Sequence, residues 1–270
     1  MSAVTQPLLL GGERATTQLY ELGVRRDGVV LVHASMRSVG GDAENMAAAL
    51  RRALGPEGTL VVPAFTPENS DTSRSYLERV RGLSAKARAT VRASMPAFDP
   101  AVSPAPTMGA LAEAVRRAPG ALRSAHPQTS FAALGPAAGH LLTGHRQDCH
   151  LGEDSPLARL YESDAQVLLL GTGFDSCTAF HLAEYRRPAP PRRLYRCVVA
   201  AEGGSGRWWE YEDITLDDSD FATLGSDFVR ARSDAVVTGR VGAAGSFLFP
   251  LRTAVDFATG WLKDHRADGC

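Results

Sequence analysis

The chain has 270 residues, with 29 Lys and Arg against 30 Asp and Glu, a formal charge of −1 at pH 7. So even a balance argues against a general nucleic-acid binder, which carries a basic excess, and 44% hydrophobic with 22% charged residues excludes a disordered or fibrous chain. A chain this long buries roughly 70–75% of its unfolded surface, so its core needs neither a metal nor a disulfide staple.

The start, MSAVTQPLLLGGE, has no basic segment ahead of its short apolar patch and does not read as a signal peptide. Thr16 is expected to cap a helix running to Gly23. Val29–Val32, β-branched and bounded by Asp27-Gly28, predicts a buried strand. Ala43–Leu54 has helical spacing and ends at Gly55, and Thr59–Pro63 predicts a second buried strand. That β–α–β order implies a parallel pair in an α/β sheet. Residues 67–106, polar and Arg-rich with prolines at 96, 100, 104 and 106, read as an excursion over the active face. Helices are expected at Met108–Arg117, Ala137–His145, Ser155–Tyr161 and Thr178–Arg186, with strands at Ser130–Leu134 and Gln166–Leu170. Leu194–Ala201 and Arg207–Ile214 alternate like a hairpin joined by Glu202–Gly206, and Ala254–His265 closes the chain as an amphipathic helix. No apolar run reaches the 18 residues of a membrane span. Cys149, Cys177, Cys197 and Cys270 are too scattered for a disulfide framework, which suggests a reducing cytoplasm.

Three stretches carry chemistry. VHASMRSVGG, Val32 to Gly41, joins a strand to a helix where open parallel sheets bind ligands. Its serines and glycines let backbone N–H groups turn toward a phosphate, or it is an ordinary strand-to-helix turn. No G-x-x-x-x-G-K-[ST] phosphate loop exists. In VLLLGTGFDSCTAFHLAEYR, Val167 to Arg186, a lone Gly171-x-Gly173 is weak evidence for a dinucleotide. His181 and Glu184 share a helix face. The histidine is placed to act as a general base, or it is a core residue satisfied by a carbonyl. Glu210–Asp220 holds six carboxylates and no basic residue. It reads as a solvated face, a surface for a polycation, or the source of a carboxylate that orients a histidine, for which strand-borne Asp213 is the best placed. There is no G-x-S-x-G elbow and no H-E-x-x-H. Cys149-His150 and Cys177…His181 lack the paired spacing of structural zinc, and Cys177 reads as a core residue.

The strings LVHASMRSVG, EGTLVVPAFT, PTMGALAE, RSAHPQTSFAALG, GEDSPLARLY, HLAEYR and VDFATGWL occur in this order from about Thr16 onward, and the chain resembles the aminoglycoside 3-N-acetyltransferase family. The resemblance implies a three-layer α/β sandwich around a mostly parallel central sheet, with an antiparallel appendage and an inserted loop and helical region, distinct from the GCN5-type acetyltransferase fold. Residues 1–270 would form one domain, with 66–106 as a substrate-side insertion. The implied reaction moves acetyl from acetyl-CoA, a cosubstrate, to the 3-amino group of a 2-deoxystreptamine aminoglycoside in a ternary complex. That would confer antibiotic resistance.

By the same resemblance, Ser35, Met36, Arg37, Ser38 and Val39 receive the pyrophosphate, and Phe65, Thr107 and Met108 line the pantetheine path. His181 is the base, Asp213 orients it, and His33 sits near the thioester. Asp71, Glu153 and Glu184 are expected to face the cationic substrate. No metal and no nucleic-acid or membrane partner is expected, and a homodimer stays open. One departure is that Ser38 to Ala43 closes a gap in which the family commonly carries several residues, so the helix start is shortened. An acetyl-CoA-dependent transfer to another small amine, or a metal-dependent hydrolase on an α/β sheet, are the alternatives.

Overall fold

The computed structural model describes residues 11–201 and 206–266. The N-terminal patch, the expected hairpin connection at 202–205 and Cys270 lie outside the described residues.

In chain order the elements are α1 (Gly12–Leu22), β1 (Val29–Ala34), α2 (Met36–Val39), α3 (Ala43–Leu54), β2 (Thr59–Pro63), α4 (Arg74–Arg79), α5 (Ala85–Ala93) and α6 (Ala110–Arg117). Then come β3 (Leu122–Arg123), β4 (Phe131–Leu134), α7 (Ala138–Leu142), α8 (Pro156–Glu162), β5 (Gln166–Leu170) and α9 (Phe180–Tyr185). The last are β6 (Arg192–Ala200), β7 (Gly206–Ile214), α10 (Phe221–Ala231), β8 (Val237–Val241), β9 (Ala244–Pro250) and α11 (Leu251–His265).

Seven strands form one mixed sheet in the order β3-β4-β2-β1-β5-β9-β8. Its centre is parallel, with Val29 opposite Thr59 on β2 and Val30 opposite Gln166 on β5. Antiparallel strands flank this centre on both sides. The central strands are apolar throughout because both faces are covered. Strand periodicity deals their side chains alternately to two cores. Leu31, Val61, Val167 and Leu169 pack with α8, α9 and α11. Val30, Val32, Leu60, Val62, Leu168 and Leu170 pack with α1, α3 and α6 on the opposite face.

Several elements differ from the sequence expectation. Thr16 lies inside α1, where its hydroxyl donates to the Gly12 carbonyl at 2.9 Å, and the helix starts a turn earlier. The helix expected at Ala137–His145 is shorter, since Gly144 has φ 74. The segment 67–106, expected as part of an inserted loop and helical region, holds α4 and α5, capped by Ser73 and Ser84. Neither helix has a buried residue, so neither has an apolar stripe to read. No expectation covered α2, β3, α10 or the hairpin β8–β9. The hairpin turns on a two-residue loop with Gly242 at φ 62, which such loops favour.

The appendage β6–β7 pairs antiparallel outside the main sheet. Its root stands on three buried imidazoles, His126, His145 and His150, with His126 stacked 4.8 Å from His145 and tilted 4.7 Å from His150 between ring centroids. His150 Nε2 meets the Tyr211 hydroxyl of β7 at 2.8 Å. The insertion docks on the appendage: Asp71 pairs with Arg92 at 2.6 Å and with Arg196 of β6 at 3.0 Å, and the Phe98 N–H donates to the Val198 carbonyl at 3.0 Å.

Candidate active site

Beyond the C-terminal ends of β1, β2 and β5 opens a cleft of about 630 Å³. Its walls come from the segments that follow these strands, as expected of a parallel sheet. After β1 they are Ser35, Met36 and Arg37, with His33 on the strand itself; after β2, Phe65; and from the turn before α6, Thr107 and Met108. After β5, Thr172 and Asp175 to Thr178 line it, with His181 from α9 and Asp218 and Phe221 at the start of α10.

The opening turn is pinned to the neighbouring strand, since the Ser35 N–H donates to the Leu170 carbonyl at 3.0 Å. The Ser35 and Ser38 hydroxyl oxygens lie 2.9 Å apart. Gly40 and Gly41, at φ 77 and 91, carry the chain directly into α3. Ser38 and Val39, expected at the coenzyme, do not line the cleft. They pack behind the end of β5, where a side chain on Gly171 would come within 2.9 Å of Ala244 and 3.1 Å of Ser38 and Val39. The first turn of α6, Ala110 to Ala112, lines the cleft unforeseen. Its N–H groups lack intrahelical partners and favour an anion. The signal was Gly109 ahead of the run ALAEAV.

His181 and Glu184 meet across one helical turn, Nδ1 to Oε2 at 2.6 Å. A carboxylate there accepts from Nδ1–H, which leaves the lone pair of the neutral ring on Nε2. The carboxylate is 2% exposed and its other oxygen accepts from the Asp217 N–H at 3.1 Å. Phe221 packs 4.8 Å from the imidazole between ring centroids. His33 lies under the cleft floor, 6% exposed, with Nε2 free of hydrogen bonds among the described residues. Burial, and His181 nearby, push its pKa down to about 3, so it is neutral. Burial pushes the Cys177 thiol up to about 12, which removes it as a nucleophile at neutral pH.

Four expectations are corrected. Asp213 does not hold His181. It accepts from the His150 N–H at 2.8 Å, from the Tyr185 hydroxyl and from the Ile214 N–H, which makes it the root of the appendage. A carboxylate one turn along the same helix reaches Nδ1 first. Glu184, expected to face substrate, therefore stands behind His181 and is too buried to touch an acceptor. Asp71 is consumed by Arg92 and Arg196, away from the cleft. Glu153 is on the surface, paired with Arg186 at 2.7 Å. The carboxylates that do reach the cleft are Asp175 and Asp218, the latter 44% exposed and 3.3 Å from Arg74. Asp218 belongs to the acidic run, while nothing in GTGFDS singled out Asp175.

Among the described residues no three His, Cys, Asp or Glu gather to hold a metal, and no helix is long and apolar enough to cross a membrane.

The fold and cleft define an acyltransferase. The model of the aminoglycoside 3-N-acetyltransferase family matches residues 31–263, and the chain belongs to that family. It is similar to the SPbeta prophage-derived aminoglycoside N(3')-acetyltransferase-like protein YokD of Bacillus subtilis, 37% identical over 92% of this chain and 90% of that protein. The crystal structure of YokD superposes with a TM-score of 0.88, covering 97% of each chain at 33% identity. Aminoglycoside N(3)-acetyltransferase III of Serratia marcescens is 37% identical over 94% of this chain and 97% of its own. A structure of AAC-IIIb in binary complex with CoASH superposes with a TM-score of 0.81 at 28% identity, over 97% of this chain and 99% of that one.

Proposed function

We propose that this chain acetylates the 3-amino group of 2-deoxystreptamine aminoglycosides with acetyl-CoA, by direct attack in a ternary complex, and so confers resistance. The observation that carries the reading is the His181–Glu184 pair, with Nε2 left free at a cleft beyond parallel strand ends. The AAC-IIIb complex with CoASH supports the choice of coenzyme. The residues present suit it. Arg37, exposed and free of ion pairs among the described residues, and the first turn of α6 offer positive charge and N–H donors for phosphates. Phe65 and Met108 offer apolar wall to an aliphatic arm. Bound acetyl-CoA supplies an acyl group on a good leaving thiol.

An aliphatic amine is mostly protonated near pH 7 and must lose its proton to become a nucleophile. Asp175 and Asp218 draw the polycationic acceptor to the rim. His181 Nε2 takes the proton that the nitrogen releases as it bonds to the acyl carbon. Glu184, accepting from Nδ1–H, fixes the tautomer and stabilises the imidazolium. As the adduct collapses the C–S bond breaks, and the departing thiolate takes the proton back from the His181 imidazolium, which restores the neutral ring. His33, neutral and buried, shapes the floor without adding positive charge beside the base. The whole chain works as one domain, with 66–106 as the substrate-side insertion, in the cytoplasm where acetyl-CoA is made.

Coenzyme A release with gentamicin, apramycin and a deoxystreptamine-free amine in parallel tests this. His181→Ala should lower kcat by about 10²–10⁴ at saturating coenzyme. Wild-type turnover in that variant overturns the base, and turnover only with the third amine overturns the acceptor.

A further inference from the structure

Arg266, the residue after α11, is distant in sequence from the cleft, yet its guanidinium closes the back of the His181–Glu184 pair. Glu184 Oε1 accepts from the Arg266 guanidinium as well as from the Asp217 N–H. The same guanidinium donates from Nε to Asp220 Oδ2 at 2.7 Å, from Nη2 to Asp220 Oδ1, and from Nη2 to the Asp217 carbonyl at 2.6 Å. It lies 5.8 Å from the centroid of Phe221, the ring that packs on His181. The Arg266 side chain is only 13% exposed. One planar fork thus spans the carboxylate behind the base, the segment that packs on the base, and the backbone beside Asp218 at the cleft.

We propose that Arg266 is a positioning residue for the acyl transfer: it locks Glu184 and the 217–221 segment around His181 and supplies the counter-charge to a buried carboxylate. This rests on His181 being the base. The other groups facing the pair are His33 from β1, Cys177 and Asp175 after β5, His150 before α8, Tyr195 from β6, and Asp217, Asp218 and Asp220 before α10. Arg74 pairs with Asp218, Arg193 lies over Tyr195, and buried Arg187 follows Glu184 by three residues; Arg266 is the guanidinium that bonds the Glu184 carboxylate. Without it Glu184 loses the guanidinium that neutralises its carboxylate, and a proton on His181 is held more tightly.

Arg266→Gln should lower kcat at pH 7 about tenfold and move the acidic limb of the kcat/KM profile up by about one pH unit, with KM for acetyl-CoA unchanged. Arg266→Lys keeps the charge but not the fork, so its limb should stay in place while kcat falls about threefold. Equal losses in both variants with an unmoved limb, or wild-type kcat in folded Arg266→Gln, overturn the proposal. Should Arg266→Gln not fold, an unchanged kcat in Arg266→Lys does the same. Nitrogen-15 imidazole spectra separate this from the fate of the base assignment. The His181 Nδ1–H tautomer should be single in the wild type and mixed in Arg266→Gln, whether or not any amine turns over. A single tautomer in both proteins overturns the lock.

Discussion

At the scale of single residues, the site depends on which carboxylate reaches which imidazole. Asp213 lies 3% exposed and accepts three hydrogen bonds, of which those from the His150 N–H and the Tyr185 hydroxyl tie β7 to the neighbouring chain and that from the Ile214 N–H is local. Burial pushes its pKa up, against the pull of those donors. Asp213→Ala should therefore cost about 1–3 kcal/mol of stability by stranding buried donors and leave kcat of the folded enzyme near wild type. Urea melts and steady-state kinetics on the same preparation check both halves, and a large fall in kcat would return Asp213 to the catalytic machinery. His181 and Glu184 were legible as one helix face, because three-residue spacing is a local property. Their separate roles were not. A strand aspartate and a helix glutamate look equally able to hold a histidine until burial and distance are known.

At the scale of elements, legibility followed apolar patterning. β1, β2 and β5 are short apolar runs buried on both faces and fall where the sequence places them. α4 and α5 bury nothing and left only cap residues as a signal. α10 does carry the pattern, with Phe221, Leu224, Gly225 and Phe228 buried, but the acidic run before it obscured its start. Gly225 marks where this helix crosses the turn after β5, since a side chain there would meet Phe174 Cβ and Cγ at 2.1 Å. Phe174 packs in turn on Phe180, Phe228 and Phe249. Gly225→Val should lower stability by about 1–3 kcal/mol through overpacking. By shifting the start of α10, and with it Phe221 against His181, it should also reduce kcat. Thermal melting with kinetics measures both, and an unaltered melting temperature would show that the crossing is loose.

At the scale of the whole molecule, four buried imidazoles set the response to acid. Burial holds His33 and His150 down to about 3, His145 to about 4, and His126 well below the ordinary value. Unfolded, each titrates near 6.5. From about pH 6.5 down to 4 the unfolded chain therefore binds protons that the folded chain refuses. Stability falls as pH falls, by up to ~1.4 kcal/mol per pH unit for each histidine. Asp213, with its pKa raised by burial, opposes this trend at the lower end. Urea midpoints from pH 7.5 to 4.5 at fixed ionic strength should decline steadily, and a flat profile would mean that the imidazoles reach solvent. Three of the four stand under the appendage, so acid should loosen β6–β7 before the sheet, a sequence that hydrogen exchange resolves.

Taken alone, the sequence determined the parallel centre of the sheet, the strand-to-helix turn at Ser35, the appendage, and a histidine and glutamate one turn apart. Each element in them is marked by the residue pattern of its own short stretch, where backbone geometry leaves little choice. Only the tertiary structure decided that Glu184 and not Asp213 backs His181, that Asp71 is spent on the insertion, that the start of α6 faces the cleft, and that Arg266 arrives behind the His181–Glu184 pair from distant sequence. Those choices depend on which groups lose their water together. Burial of that kind is a property of the packed whole, unmarked in any single stretch of residues.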